Sequence, residues 1–483
     1  MGTAISDNTK NDTSKLQPGF TTIGAWALGV GALIGSMAWL IHAPMIATAG
    51  NLGATLAWLI AGVLSIPLAL ILMELSSMFP TAGGPYFYKY YALKRLIPGY
   101  GDLLGFLTGW LFWIALTVGL AMMSIGLVNL LVRTLTPGCP LVQHWLFGPF
   151  VIVTLFLSTA VLNLHPARTS SKVSIGFCLL KIFMAAGFVL LVISSNKWSM
   201  HEALKIVNPG GSSNLHESIA SVLMLALTGF TFLEITGCTS AETYNAEKAV
   251  PKAMMLTLLT GALVFGTISF CSAGIIPLAC DNKLKTMVIS GTALEATCPG
   301  IVTYVAGTSA GELFFGCVIA SIVGGTFGAL LALARVGYSM SASGLFPLQF
   351  ANTNRDGVPV YALWFQCFCV IIIALSTLFL SRLGWFPNAY VFLGETFGFM
   401  YSLIGVLYAI CFLSLRYTDP ERERPFQVGS MKAAWSVSII TIIIWSYAAI
   451  GCVQPIHQLT GLFIMFSGVP VYYFYKNRSL TKI

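Results

Sequence analysis

Long apolar runs separated by short polar stretches dominate the chain. Twelve of them approach or exceed the length of about 20 residues that carries a helix across a bilayer. They cover roughly residues 21–47, 52–78, 103–132, 148–165, 172–194, 218–241, 255–278, 308–336, 360–380, 388–415, 433–452 and 457–475, numbered as segments 1 to 12. Several exceed the minimum, which predicts tilt or interruption. Runs such as 370–375 and 439–444 do not alternate apolar with polar residues. They predict helices rather than the strands of a membrane barrel.

Composition fixes the solvent. Only 9% of the 483 residues are charged, 57% are hydrophobic, and the mean hydropathy is +0.83. A soluble chain carries about 25% charged residues, because something must face water. An ordinary cytosolic enzyme, a disordered chain and a nucleic-acid binder are thereby excluded. The expected fold class is an all-α polytopic membrane protein whose main partner is the lipid bilayer. Residues 1–19 are polar, and no short apolar stretch with a small-residue cleavage site follows them. This predicts a polar tail ahead of a first segment that is retained.

Charge sets the orientation. With twelve segments both termini share a side, and eighteen of the 25 Lys and Arg fall there, Lys89, Lys94, Arg335 and Arg416 among them. Six fall on the opposite side, and one, Lys181, lies inside segment 5. The excess predicts cytoplasmic termini on a multi-pass protein of the cell membrane. The eleven cysteines are scattered, mostly inside segments, where they act as small apolar residues. Cys280 and Cys298 share one predicted external loop, as either a disulfide or two free thiols.

Catalytic patterns are missing. The six histidines are dispersed without paired-ligand spacing, and no G-x-x-x-x-G-K-[ST] run occurs. No catalytic set, metal site, cofactor or direct ATP drive is expected. Two glycine clusters carry more. Segment 1 holds Gly29, Gly31 and Gly35 with Ser36. Segment 6 holds Gly229 and Gly237 with Thr228, Thr231, Thr236 and the carboxylate of Glu234. Each segment opens a block of five, and Gly-interrupted helices at matching positions of two halves point to a transporter site. A break frees backbone N–H and C=O groups, which survive in hydrocarbon only beside a cavity. Freed amides suit a carboxylate, and freed carbonyls suit an ammonium.

Further motifs follow in order. They are Gly29-x-Gly31-x-x-Ile34-Gly35-Ser36 and Pro80-x-Ala82-Gly83-Gly84-x-Tyr86-x-Tyr88. Next come Gly105-Phe106-x-x-Gly109-Trp110, then Glu242-x-x-Asn245 with Pro251-x-Ala253. Last are Arg335 with Gly344-Leu345-Phe346-Pro347 and Gly357-Val358-Pro359. In this order, over residues 20 to about 415, they resemble the amino acid–polyamine–organocation transporter superfamily. The resemblance implies the leucine-transporter fold, with segments 1 and 6 interrupted, two inverted five-helix repeats and two peripheral helices. The divisions are then a tail at 1–19, repeats at 20–200 and 201–418, and peripheral helices at 419–483. It implies a secondary carrier that moves an amino acid by alternating access. Amides of Gly35, Ser36 and Met37 would bind the substrate carboxylate, and carbonyls around Ile34 and Phe230, Thr231, Phe232 and Leu233 its ammonium. Phe230 would gate the site from inside. Met37 stands where the family has a third glycine, so its side chain either narrows the site or re-aims an amide.

Ionisable residues at membrane depth are expensive, so each is a functional candidate. Lys181-Ile182 resembles the segment 5 lysine of sodium-independent relatives, which sits where other relatives bind sodium. Its ammonium would touch the carbonyls of Gly31 and Ile34, either as a fixed cation or as one that releases a proton. Glu234 either couples transport to charge or caps the second half-helix, and Glu395 is open in the same way. Glu74 reads as structural, and Tyr86, Tyr88, Trp26 and Trp110 as interfacial or packing aromatics. A carrier for an amine or polyamine is the alternative within the fold, suggested by Met37, Glu234 and Glu395. A channel or a membrane-embedded enzyme fits less well, since neither filter residues nor catalytic spacing occurs.

Overall fold

The computed structural model describes residues 16–135, 139–206, 214–275, 297–386, 388–451 and 453–480. Described helices fall on all twelve segments, and the only strand-like pairings among the described residues are two isolated bridges. Eight helices are long and apolar enough to cross a membrane: Asn51–Met78, Gly101–Leu135, Ala167–Ser194, Ala246–Ala273, Thr308–Ala342, Val360–Arg382, Ala389–Thr418 and Met431–Gly451. They occupy segments 2, 3, 5, 7, 8, 9, 10 and 11. Segment 4 forms the shorter helix Phe147–Leu162. Cys280 lies outside the described residues, and Cys298 is buried at the start of the Cys298–Ala306 helix.

The other three segments are broken. Segment 1 divides into Thr22–Leu33, Met37–Leu40 and His42–Ala49. Segment 6 divides into Leu215–Thr228 and Ile235–Cys238. Segment 12 divides into Pro455–Phe466 and Gly468–Leu480. The break falls at Ser467-Gly468, just ahead of Pro470, whose ring crowds the Phe466 carbonyl. Trp110 of segment 3 enters it, its indole N–H donating to the Ile464 carbonyl at 3.1 Å and to Ser467 Oγ at 3.2 Å. A side chain inserted into the backbone ladder bends a helix. Segment 7 also departs from the hydropathy reading, starting at Ala246 rather than near 255. Its first turns carry Glu247, Lys248 and Lys252, polar residues that project beyond the apolar stretch.

Packing follows an exchange of each segment with the one five places on. Segment 2 packs on segment 7 and segment 3 on segment 8. Segment 1 lies against 7, and segment 6 against 2. The helix Gly84–Leu96 follows segment 2, and the helix Cys298–Ala306 follows segment 7 in the matching place. Segments 1 and 6 therefore sit at the centre, where their apolar residues join one continuous buried core.

At the end of the bundle that carries most Lys and Arg, called the basic face, the centre is shut. Gly19 and Phe20 amides donate to the Glu242 carbonyl at 2.8 and 2.9 Å, and the Tyr244 amide donates to Phe20 at 2.9 Å. Arg335 of segment 8 forms a two-point ion pair with Glu242, Nε to Oε2 at 2.8 Å and Nη2 to Oε1 at 2.9 Å. Neither side chain is more than 2% exposed. Glu74 is structural in the same manner. It pairs with Arg416 at 2.5 Å and Arg424 at 3.1 Å and accepts from the Val428 amide at 2.6 Å, which fastens the chain after segment 10 to segment 2. Beside it Asp419 is partly buried, which raises its carboxyl, but bonds from Arg422 and Tyr91 outweigh this and hold it below the usual carboxylate range.

Candidate substrate site

The segment 1 break spans three residues, Ile34 to Ser36, between helices that end at Leu33 and restart at Met37. Its amides divide into two groups. The Ile34 and Gly35 amides donate to the Val30 and Leu33 carbonyls at 2.9 and 3.0 Å. The Ser36 and Met37 amides donate to no backbone carbonyl among the described residues. These are the unpaired donors of a helix start, the position that attracts negative charge. Gly35 takes part through closeness rather than through its own amide. A side-chain carbon there would come within 2.7 Å of the Met123 methyl of segment 3. Ser36 is fully buried, and Tyr390 of segment 10 and Gly126 of segment 3 stand next to its hydroxyl.

One carbonyl of the break and one from the last turn of the helix before it hold a cation. Lys181 Nζ donates to Gly31 at 2.5 Å and to Ile34 at 2.7 Å, and the side chain is fully buried. Segment 8 completes this corner. A carbon added at Gly325 would lie 3.3 Å from the Gly31 carbonyl, 3.7 Å from the Gly35 α-carbon and 3.8 Å from Lys181 Nζ. Glycine makes that approach easy, since a side chain here would press on the Gly31 carbonyl. The Gly324–Gly325 doublet is the sequence signal that would have placed segment 8 here.

The segment 6 break runs from Gly229 to Glu234. Phe232 holds a left-handed backbone, φ 75°, rare for a bulky residue. Its ring stacks on Phe397 of segment 10 with centroids 5.6 Å apart. Phe230 turns the opposite way, edge-on to Trp58 at 6.2 Å and Phe265 at 5.5 Å. The Phe230 and Thr231 carbonyls accept no backbone hydrogen bond from a described residue, whereas the Leu233 carbonyl accepts from Thr236 Oγ1 at 3.1 Å. Ile34, Ser36, Phe230, Thr231 and Leu233 are all buried, and Met37 is half-buried.

Glu234 lies directly behind this break. Its Oε2 accepts from the Tyr401 hydroxyl at 2.6 Å, and its Oε1 accepts from no other described residue. Lys89 of the Gly84–Leu96 helix, counted above with the loop cations, is in fact fully buried. Its Nζ sits over the rings of Phe112 at 4.6 Å and Tyr408 at 4.1 Å. Burial pushes its ammonium down to about 8, against the fields of Cys411, Glu234 and Cys238. Glu395 is distant from all this in role, since it pairs with His457 of segment 12 at 2.9 Å. Tyr86 and Tyr88 are fully buried packing residues rather than interfacial ones.

Comparison with known proteins decides the family. The model of the amino acid permease family matches residues 20–474. The chain belongs to that family. The permease is 26% identical to the lysine-specific permease of Lactococcus lactis, over 74% of this chain and 70% of that one. It is 22% identical to the branched-chain amino acid permease of the same organism, over 80% of each. It is 24% identical to the large neutral amino acids transporter small subunit 2 of Mus musculus, over 93% of this chain and 80% of that one. Sequence reading of the permease missed Tyr401, Tyr390, Lys89 and Gly325 as neighbours of the breaks. Each comes from a segment remote in the chain, and only the buried lysine and the glycine doublet carried a local signal.

Proposed function

We propose that the permease is a sodium-independent secondary carrier of an amino acid, driven by proton movement or exchange. It alternates access around the breaks of segments 1 and 6. The observation that carries this reading is the division of the segment 1 backbone. Ser36 and Met37 present unpaired amides, while Gly31 and Ile34 give their carbonyls to Lys181. The substrate carboxylate docks on those amides, and its ammonium on the open carbonyls of Phe230 and Thr231. Lys181 occupies the place of a coupling cation, so none need be taken from solution. The relatives' names span lysine, branched-chain and large neutral substrates, so the backbone recognises what these share. For the amine alternative, Glu395 is paired with His457, and Glu234 has one oxygen held by Tyr401.

The repeats divide near residue 200, with the basic face towards the cytoplasm. Support comes from the segment exchange, the paired breaks and the two short helices in matching places. A cysteine introduced at Lys283 is then labelled in intact cells by a membrane-impermeant maleimide, and one at Lys94 is not. Reversed labelling overturns the orientation.

The central test is uptake of a radiolabelled mixture of the protein amino acids into proteoliposomes, with and without sodium and across pH. Saturable uptake independent of sodium is expected. A strict sodium requirement removes the role given to Lys181, and unsaturable flux indicates a channel. Gly35→Val tests the site. The branched side chain displaces the movable Met123 methyl and stands beside the free amides. A loss of at least about fivefold in affinity is expected, about 1 kcal/mol, while the chain still inserts. Unchanged affinity moves the site elsewhere.

A further inference from the structure

Lys89 is a buried charge without an ion-pair partner within 4.0 Å among the described residues, and the proposed cycle gives it no role. It sits on the Gly84–Leu96 helix, between segments 2 and 3, yet is fully shielded from solvent. Its Nζ makes no hydrogen bond to a described residue and rests over the faces of Phe112 and Tyr408. Ring faces attract a cation, and more strongly where water is excluded. They supply no negative charge. That comes from Glu234, which belongs to the same buried cluster. Its Oε2 holds the Tyr401 hydroxyl, and Tyr408 lies two turns further along segment 10, under Lys89 Nζ. Its Oε1 is also without a bond to another described residue, although no contact of 4.0 Å or less joins the two charges. The other titratable groups facing the pair are Tyr88 of the same helix, Cys238 of segment 6, and Tyr401, Tyr408 and Cys411 of segment 10. Arg335 of segment 8 acts on Cys238 and is itself held by Glu242.

We propose that Lys89 and Glu234 form a buried charge pair that ties the Gly84–Leu96 helix to the segment 6 break. Lys89 is thereby a positioning residue for the coupling carboxylate. The inference rests on the carrier reading above and deepens it.

The geometry gives the pair a mechanical consequence. The Gly83 amide, one residue before this helix, donates to the Cys238 carbonyl at 2.9 Å. The helix thus grips segment 6 at two levels, by backbone at Cys238 and by charge at Glu234. A proton from water that neutralises Glu234 removes the charge facing Lys89 and leaves an uncompensated ammonium under the break. An uncompensated buried charge is strongly unfavourable, so this state favours separation of helix and break and admission of water to Lys89. Protonation of Glu234 is in this way converted into opening of the basic face. The Tyr401 hydroxyl stays with Glu234 in either state, donating to the carboxylate or accepting from the acid.

The experiment uses the full chain in proteoliposomes and the same labelled amino acid mixture. Four variants are compared with the unmodified protein: Lys89→Met, Glu234→Gln, the double replacement and Lys89→Arg. Each is checked for a monodisperse peak in detergent. Lys89→Met is expected to lower uptake by about tenfold or more and to move the pH midpoint of transport. Lys89→Arg keeps the midpoint. The double replacement loses far less than the product of the two single losses, because it leaves no charge unpaired. If Lys89→Met is not monodisperse, recovery of the peak in the double replacement supports the pair, and no recovery overturns it. Multiplicative losses with an unchanged midpoint also overturn it, and return Lys89 to a packing role. No saturable uptake by the unmodified protein is a different failure, that of the carrier reading itself.

Discussion

Lys181→Met is expected to abolish amino acid uptake in proteoliposomes, with or without sodium, while the protein still reaches the membrane. The replacement keeps the length and packing of the side chain but removes both charge-assisted bonds to Gly31 and Ile34. Such bonds contribute about 1.5–3 kcal/mol each, so the pair amounts to about 3–6 kcal/mol. At about 1.4 kcal/mol per tenfold, the loss is between about a hundredfold and ten-thousandfold. Two buried carbonyls are left without a donor, and the segment 1 break can no longer hold its shape. Lys181→Arg is a sharper control, since the larger guanidinium must fit beside Gly325. It keeps the charge and is expected to lose the geometry. Retained kinetics in Lys181→Met, across sodium and pH, would make the lysine a dispensable cation.

The second large effect falls on the basic face. Arg335→Met leaves Glu242 as an unpaired carboxylate that is 2% exposed. Breaking a buried pair by removing one partner costs about 3–5 kcal/mol. That cost is borne by the closed arrangement alone, because opening hydrates Glu242. A cysteine placed at Ser240, which is 1% exposed here, is then expected to react with a water-soluble thiol reagent at least about tenfold faster. Replacing Glu242 by Met in the same chain should return the rate most of the way, since no lone charge remains. Equal labelling in the single variant and the unmodified protein would mean that backbone bonds alone keep this face shut.

The parts of the fold that the sequence makes legible are those with a local cause. Segment positions follow from runs of apolar residues, and the breaks at 34–36 and 229–234 follow from glycine and hydroxyl clusters. Lys181 is conspicuous as a lone cation inside an apolar run, and the resemblance to sodium-independent relatives implied the Gly31 and Ile34 carbonyls as its partners, where the structure places it. What sequence could not supply is partnership across distance. Tyr401 is 167 positions from Glu234, and Arg335 is 93 from Glu242. Hydropathy also assigned Lys89 to a loop, because it reads the charge and cannot see that the Gly84–Leu96 helix tucks beneath the bundle. The kink in segment 12, by contrast, has a local signal in Ser467-Gly468 ahead of Pro470, and only the indole that enters it comes from afar.

Phe232 makes the resting form of the carrier spring-loaded. A bulky residue in left-handed backbone carries about 1–3 kcal/mol of strain. Here the stack on Phe397 holds it in place, and Gly119 of segment 3 leaves room for both rings. Any motion that draws segment 6 away from segment 10 removes the clamp while the tension is still present. The relief of that strain would favour the new position of segment 6 without further help from the substrate. In the proposed cycle, one stroke would draw on strain already wound into the chain before a ligand arrives, and the return stroke would rewind it.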